Sequence, residues 1–239
     1  MASPSLVDWT KVTPQTDLEF GEPKGGNGMV NVSLEMKNPA TGAYAPILVQ
    51  APTMDLPFGI KPQRHQNDGP VVKYECAMGL SNVLLDPESW EFTGEEKMKA
   101  FAEFLNNIDE AILDNSELNS MAWFKKKMSR EALSVVYNRT IRPSSRPAEY
   151  GPILKTVLTQ DGAGKFKTGF FNADGTPIAD PETIPAHSKV VPILRAYSTW
   201  FVGKGFGISW KVAQLMVVER ATPKGGVDFT AQPLFNFTT

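Results

Sequence analysis

Between Val30 and Lys37 the chain alternates strictly. Val30, Val32, Leu34 and Met36 are apolar, while Asn31, Ser33, Glu35 and Lys37 are polar. Period-two alternation predicts a strand with one buried face. NPATG then reads as a turn and AYAPILVQA as the strand that pairs back in an antiparallel hairpin. The alternation returns in VVKYECAMGLSNV, where Val72, Tyr74, Cys76 and Met78 oppose Lys73 and Glu75. The intervening PTMDLPFGIKPQRHQNDGP is dense in proline and glycine, which predicts a surface loop held down by Met54 and Phe58.

The period changes once. Met98, Phe101, Leu105, Ile108 and Ile112 fall on one helical face, and Thr93 with Glu96 has capping-box spacing. A short second helix is predicted from Ser129 through Ala132, Leu133 and Val136. A basic, proline-broken stretch then leads to a strand around Ile153, Val157 and Leu158, and two Asp-Gly turn signals flank another. With no repeat and no dividing linker, the chain reads as one mainly β domain over residues 1–239. It has a loop-rich N-terminal segment, a short C-terminal tail, seven or eight strands forming a barrel, and one or two inserted helices.

Arg195 to Glu219 reads as two strands joined by GKGFG, with Gly203, Gly205 and Gly207 at the connection. This ribbon carries Tyr197, Trp200, Phe201, Phe206 and Trp210, interleaved with Arg195, Lys204 and Lys211. Rings and cations on one ribbon can stack bases while neutralising phosphates. The alternative is a core hairpin with its rings turned inward and its cations at the edge.

Composition narrows the chemistry. The only cysteine is Cys76 and the only histidines are His65 and His187, which excludes an intrachain disulfide and argues against a zinc site. The N-terminus lacks the basic flank and apolar run of a secretion signal, and no stretch has membrane-spanning length. An intracellular protein is expected.

The net charge of −2 conceals an asymmetry. The first 120 residues hold 8 Lys+Arg against 18 Asp+Glu, whereas residues 121–220 hold 15 against 7. This pattern fits either a polyanion-binding face or two halves of a domain attracting each other.

Catalytic signatures are missing from the chain. GAGK at Gly162–Lys165 lacks the upstream glycine of a phosphate loop, and Phe166 stands where Ser or Thr would hold magnesium. There is no G-x-S-x-G elbow and no usable Cys/His pair. No enzyme activity and no cofactor are expected. Binding chemistry is denser: Trp123 and Phe124 run into Lys125, Lys126 and Lys127, followed by Arg130, Arg139, Arg142 and Arg146.

PTMDLPFGI, MAWFKKKMSREALSVVYNRTIRP, PAEYGPILKTVL and WFVGKGFGISWKVAQ, in that order, resemble a family in nucleocytoplasmic large DNA viruses of algae and amoebae. These look like single-stranded DNA-binding proteins that share an OB-fold core with the replication protein of short-tailed phages. The resemblance implies an OB-fold-like barrel that binds single-stranded DNA during viral replication, recombination or repair inside the host cell. Replication proteins and a second copy of the chain are the further partners it allows; a membrane is not. One departure stands out: the last acidic residue is Asp228, so an acidic C-terminal tail is missing.

The residues themselves set the candidate contacts. Arg195, Lys204, Lys211, Lys125, Lys126, Lys127, Arg139 and Arg142 are expected to meet phosphates. Tyr197, Phe206, Trp210 and Trp123 are expected to stack bases. The competing reading is a virion or scaffold protein that uses the barrel as a protein–protein module.

Overall fold

The computed structural model describes residues 6–26, 29–64, 71–145, 150–196, 198–203 and 205–221. After a 3-10 turn at Trp9–Lys11 come helix α1 (Pro14–Asp17) and strands β1 (Leu18–Gly26), β2 (Met29–Lys37), β3 (Tyr44–Ala45), β4 (Ile47–Gln50), β5 (Met54–Leu56), β6 (Ile60–Arg64) and β7 (Val71–Gly79). The short hairpin β8 (Val83–Leu85) and β9 (Phe92–Gly94) leads into helices α2 (Glu96–Leu118), α3 (Ser120–Phe124) and α4 (Arg130–Val136). The remaining strands are β10 (Tyr137–Asn138), β11 (Ile141–Arg142), β12 (Ile153–Leu158), β13 (Gly169–Asn172), β14 (Ser188–Ala196), β15 (Ser198–Val202), β16 (Gly205–Ile208) and β17 (Lys211–Glu219).

Five of these strands close into a ring. β5 pairs with β7, β7 with β12, β12 with β17, β17 with β14, and β14 with β5. Counted along the chain, the order around the ring is first, second, third, fifth, fourth, and every contact is antiparallel except β12 with β17. This is the OB-fold-like barrel expected of the sequence, extended by additional strands. The interior is filled by alternate residues, such as Leu154, Thr156 and Leu158 on β12 and Tyr74, Cys76 and Met78 on β7. The Cys76 thiol is pushed up to about 12 by burial, which makes it an inert core group.

The fourth and fifth barrel strands do not stop at the barrel. β14 is followed one residue later by β15, and β16 leads back toward β17, with Gly203 at φ +60 after β15. The β15–β16 ribbon joins a second sheet in the order β1-β2-β15-β16-β10, with β3 added to β2. Val32, Leu34 and Met36 are fully buried, as the alternation predicts. The predicted partner strand divides: Tyr44 and Ala45 pair with β2, whereas Ile47–Gln50 leaves to pair with β14.

Helix α2 is longer than the pattern predicted, and its cap lies elsewhere. Glu95 accepts from the backbone of Lys97 and Met98, while Thr93 belongs to β9. The second helix begins where expected, with Ser129 accepting from the Ala132 N–H. Met54 is buried, but Phe58, expected to tuck in beside it, is 50% exposed. The predicted surface loop is instead largely sheet: Met54–Leu56 and Ile60–Arg64 are strands β5 and β6, whose hydrogen bonds to β14 and β7 override the proline and glycine content, and Phe58 stands in the turn between them beside Gly59 at φ +66.

Asp109 on α2 is 1% exposed and accepts three hydrogen bonds: from the Tyr137 hydroxyl at 2.7 Å, the Thr140 hydroxyl at 2.7 Å and the Thr140 backbone at 2.8 Å. Burial pushes its carboxyl up to about 6, and the hydrogen bonds from Thr140 and Tyr137 pull the other way without prevailing.

Two predictions follow the packing. Phe206 is fully buried, so Phe206→Ala should destabilise the fold by about 3–5 kcal/mol in urea titration; a loss below 1 kcal/mol would contradict its placement. Asp109 binds its proton more tightly in the folded chain than at the ordinary value of 3.8. Its contribution is therefore most favourable below pH 3.8 and is lost as pH rises through about 6. Stability measured from pH 3.5 to 7 should lose this component in Asp109→Asn, and identical pH profiles for the two proteins would refute it.

Candidate nucleic-acid interface

The rings named from the sequence hold the second sheet together. Phe206 stacks on Phe201 at 5.5 Å with planes 4° apart, and Phe124 and Tyr137 close around it at 5.1 and 4.9 Å. Trp123 is 6% exposed, against Phe20 and Phe201. Trp210 is 2% exposed, and its indole N–H donates to the Thr140 hydroxyl at 3.2 Å. The physical reason is a second layer over the ribbon: α3 and the parallel pairing of β10 with β16 enclose the face that a lone hairpin would expose. Phe206, Trp210 and Trp123 are therefore corrected from stacking platforms to core residues. Tyr197 and Lys204 lie outside the described residues.

The basic run after Trp123 divides. Arg139 pairs with Glu110 at 2.5 Å and Asn106 at 3.0 Å, and its guanidinium lies 4.3 Å from the Trp90 ring centroid. Arg130 bridges Glu110 and Asp114. Burial would raise the Glu110 carboxyl, but Arg139 and then Arg130 bring it below its usual range. Arg139 is thus corrected from phosphate contact to internal partner, and part of the charge asymmetry is attraction between acidic α2 and the segment that follows it. Lys125, in the left-handed conformation, donates its Nζ to the Ala122 carbonyl at 3.1 Å but stays exposed, as do Lys126, Lys127 and Arg142.

A different cationic surface forms on the outside of the barrel. Residues paired across neighbouring strands project to the same face. Arg195 lies opposite Lys211, Lys211 opposite Val157, Val157 opposite Glu75, and Glu75 opposite Lys61. This single row crosses five strands. Lys155 opposes Ala77, and Lys73 opposes Gln63, in the rows beside it. Lys61, Lys73, Lys155 and Arg195 are exposed, and Lys211 is partly so. Glu75 is the one carboxylate in these rows, and Lys73 bridges it at 3.1 Å. Phe58 stands at the edge with the Lys61 Nζ 5.7 Å from its ring centroid.

Of the named cations, the structure brings Arg195 and Lys211 together and adds Lys61, Lys73, Lys155 and Phe58, which sequence reasoning did not select. Their signal was faint but present: Lys73 and Lys155 occupy outward positions of alternating strands. Only the barrel register shows that they share a face. Among the described residues no group of three or more His, Cys, Asp or Glu is placed to hold a metal ion, and no helix is long and apolar enough to cross a membrane.

No curated protein sequence matches the chain. Solved structures similar to it include gp2.5, a single-stranded DNA-binding protein encoded by bacteriophage T7. That match is 13% identical with TM-score 0.44, and it covers 82% of this chain and 98% of that one. The single-stranded DNA-binding protein from bacteriophage Enc34 in complex with ssDNA is 12% identical with TM-score 0.39, covering 85% and 98%. A sequence profile matches residues 96–226, more than half of the chain, and by that match the protein belongs to DUF5871, a family of unknown function.

Proposed function

We propose that this protein is a non-enzymatic, sequence-tolerant single-stranded DNA-binding protein that lays the strand across the outer face of its barrel. The observation that carries this reading is the row Arg195–Lys211–Val157–Glu75–Lys61, flanked by Lys155 and Lys73 and edged by the exposed Phe58 ring. β7 and β12 are the second and third strands of the ring, and Phe58 lies in the connection between its first and second. OB-fold barrels use this face and this loop for oligonucleotides. Cations set between strands meet phosphates, while an exposed ring offers a π-face to any base. Unstacked bases are required for that contact, which favours single strands over duplex.

The sequence blocks that resemble the DNA-binding proteins of large DNA viruses support a role in viral replication, recombination or repair within the host cell. Some of the barrel's elaborations fall largely within those blocks: α3, α4 and the β15–β16 ribbon.

Two variants separate the contact classes. Replacing Lys61, Lys73 and Lys155 together by alanine should weaken binding of labelled oligo-dT and flatten its log–log salt dependence by about 2, roughly 0.7 for each lost phosphate contact. Thermal stability should hold nearly constant, because the one ion pair removed is exposed and worth at most about 1 kcal/mol. Phe58→Ala should cost about 1–3 kcal/mol of binding with the salt slope unchanged. Wild-type affinity in both variants, or equal wild-type affinity for duplex of the same length, would overturn the proposal.

A further inference from the structure

The outer face of β13 carries a ring that the barrel core does not use. Lys167, Gly169 and Phe171 alternate with buried Thr168 and Phe170, so all three project outward. A Cβ on Gly169 would come within 2.8 Å of Phe171 Cε2, so the ring folds back over the bare glycine backbone. Phe166 and Phe170 pack on each other, with Phe166 also against Tyr74, whereas Phe171 stays partly exposed. The surroundings of Phe171 are apolar: Met216 opposite it, Val191 beyond, and Pro177 on its other side. Met216 is 37% exposed and Val218, the next outward residue of β17, is 39% exposed.

This face is continuous with the cationic row, and every residue along the way is described. On β14, Val191, Ile193 and Arg195 alternate with buried Pro192 and Leu194 and so share one side. β17 carries an extra residue opposite Ile193 and Leu194, which turns Gln214 and Met216 to the side of Lys211 and leaves Val212, Leu215 and Val217 buried. Thr159, just past β12, lies two residues beyond Val157, and its carbonyl accepts from the Lys167 N–H at 2.8 Å. Gln160 and Phe166 bridge beside them, so exposed Lys167 stands across from Thr159 on the outside. Asp161, the carboxylate of this connection, accepts from the Ala163 and Lys165 backbone.

Resting on the single-stranded DNA reading, we propose that Phe171 is a base-stacking residue of the same site, reached by a strand that leaves the cationic row at Lys211 and passes Lys167. Met216, opposite the ring, lies five residues from Lys211 on β17, at most about 17 Å, and Phe171 lies four from Lys167, about 13 Å. A base needs a π-face and its phosphate a cation, and Phe171 with Lys167 supplies both along one strand. Exposed Met216 sets a polarizable thioether beside the ring, which suits an aromatic partner. Seating over Gly169 already restricts the ring, so a base that settles on it orders little more.

The test titrates a 16-nucleotide oligo-dT onto the full chain at several salt concentrations. Phe171→Leu, which keeps the apolar cover over Gly169, should weaken binding about tenfold with the salt slope and melting temperature nearly unchanged. Phe171→Tyr keeps a π-face and should bind like wild type, whereas Lys167→Ala should flatten the salt slope by about 0.7. If Phe171→Leu binds like wild type while the Lys61/Lys73/Lys155 variant does not, the stacking role is refuted and the barrel face stands. A lowered melting temperature with intact binding by the folded fraction would make Phe171 a cover for the glycine and also overturn the proposal. If wild type binds no oligomer, the single-stranded DNA reading fails and the proposal with it. Self-association in that case, lost in Phe171→Leu, would make this face a protein interface.

Discussion

A short chain of hydrogen bonds running through Trp210 joins the barrel to everything built around it. The Trp210 carbonyl accepts from the Val157 N–H at 3.0 Å, next to the single parallel bridge that closes β12 on β17. Its indole donates to Thr140, whose hydroxyl donates to Asp109, and Asp109 also accepts from Tyr137. Barrel closure, the long helix and the ring-packed second sheet thus share one buried polar path. Every member lies where water is scarce, so removing one partner leaves another unsatisfied at a cost of about 1–3 kcal/mol. The parallel closure rests on one register pair, as the β5–β7 contact does, and this network supports it where the ladder is short.

That path explains where sequence reading succeeded and where it did not. The strands around Leu34 and Cys76 were legible because each is buried on one face and polar on the other, which leaves a period of two in the sequence. Helix α2 was legible for the same reason at a different period. The hairpin was legible as a hairpin, but the inward turn of its rings was not. Phe206 is enclosed by Tyr137 and Phe124, about seventy and eighty residues earlier in the chain, and no local pattern encodes that meeting. Three glycines around a ring signal an exposed tip only while the ribbon stands alone. Here Gly207 makes room for the strand on either side, where a Cβ would strike the Asn138 carbonyl at 2.8 Å.

Arg139 was misjudged by a related route. Clustering in sequence pointed to Lys125 through Arg142, where the charges are dense. Density attracted counter-charge instead: α2 presents Glu110 and Asp114, and Arg130 and Arg139 are bound to them. Lys61, Lys73 and Lys155 are scattered over about ninety residues and look unremarkable singly. Strand alternation places each on the outside, and the ring order gathers them.

This division of labour follows from the pleat. A barrel strand must give every second side chain to the interior, so Leu154, Thr156 and Leu158 are fixed by packing while Lys155 between them is free of that constraint. The outer row can therefore carry charge without disturbing the core, provided that a ligand or solvent meets it. The chain as a whole is slightly acidic, at −2, so long-range attraction toward a polyanion is weak and the acidic residues elsewhere would oppose it. At physiological salt, however, charges more than about 8 Å away are largely screened. A strand laid on the barrel as proposed would meet the local row, in which Lys61, Lys155, Lys211 and Arg195 on other strands of the sheet accompany one carboxylate that Lys73 already holds. Affinity in such a protein is a property of one face rather than of net charge, which is why composition alone points only weakly toward it.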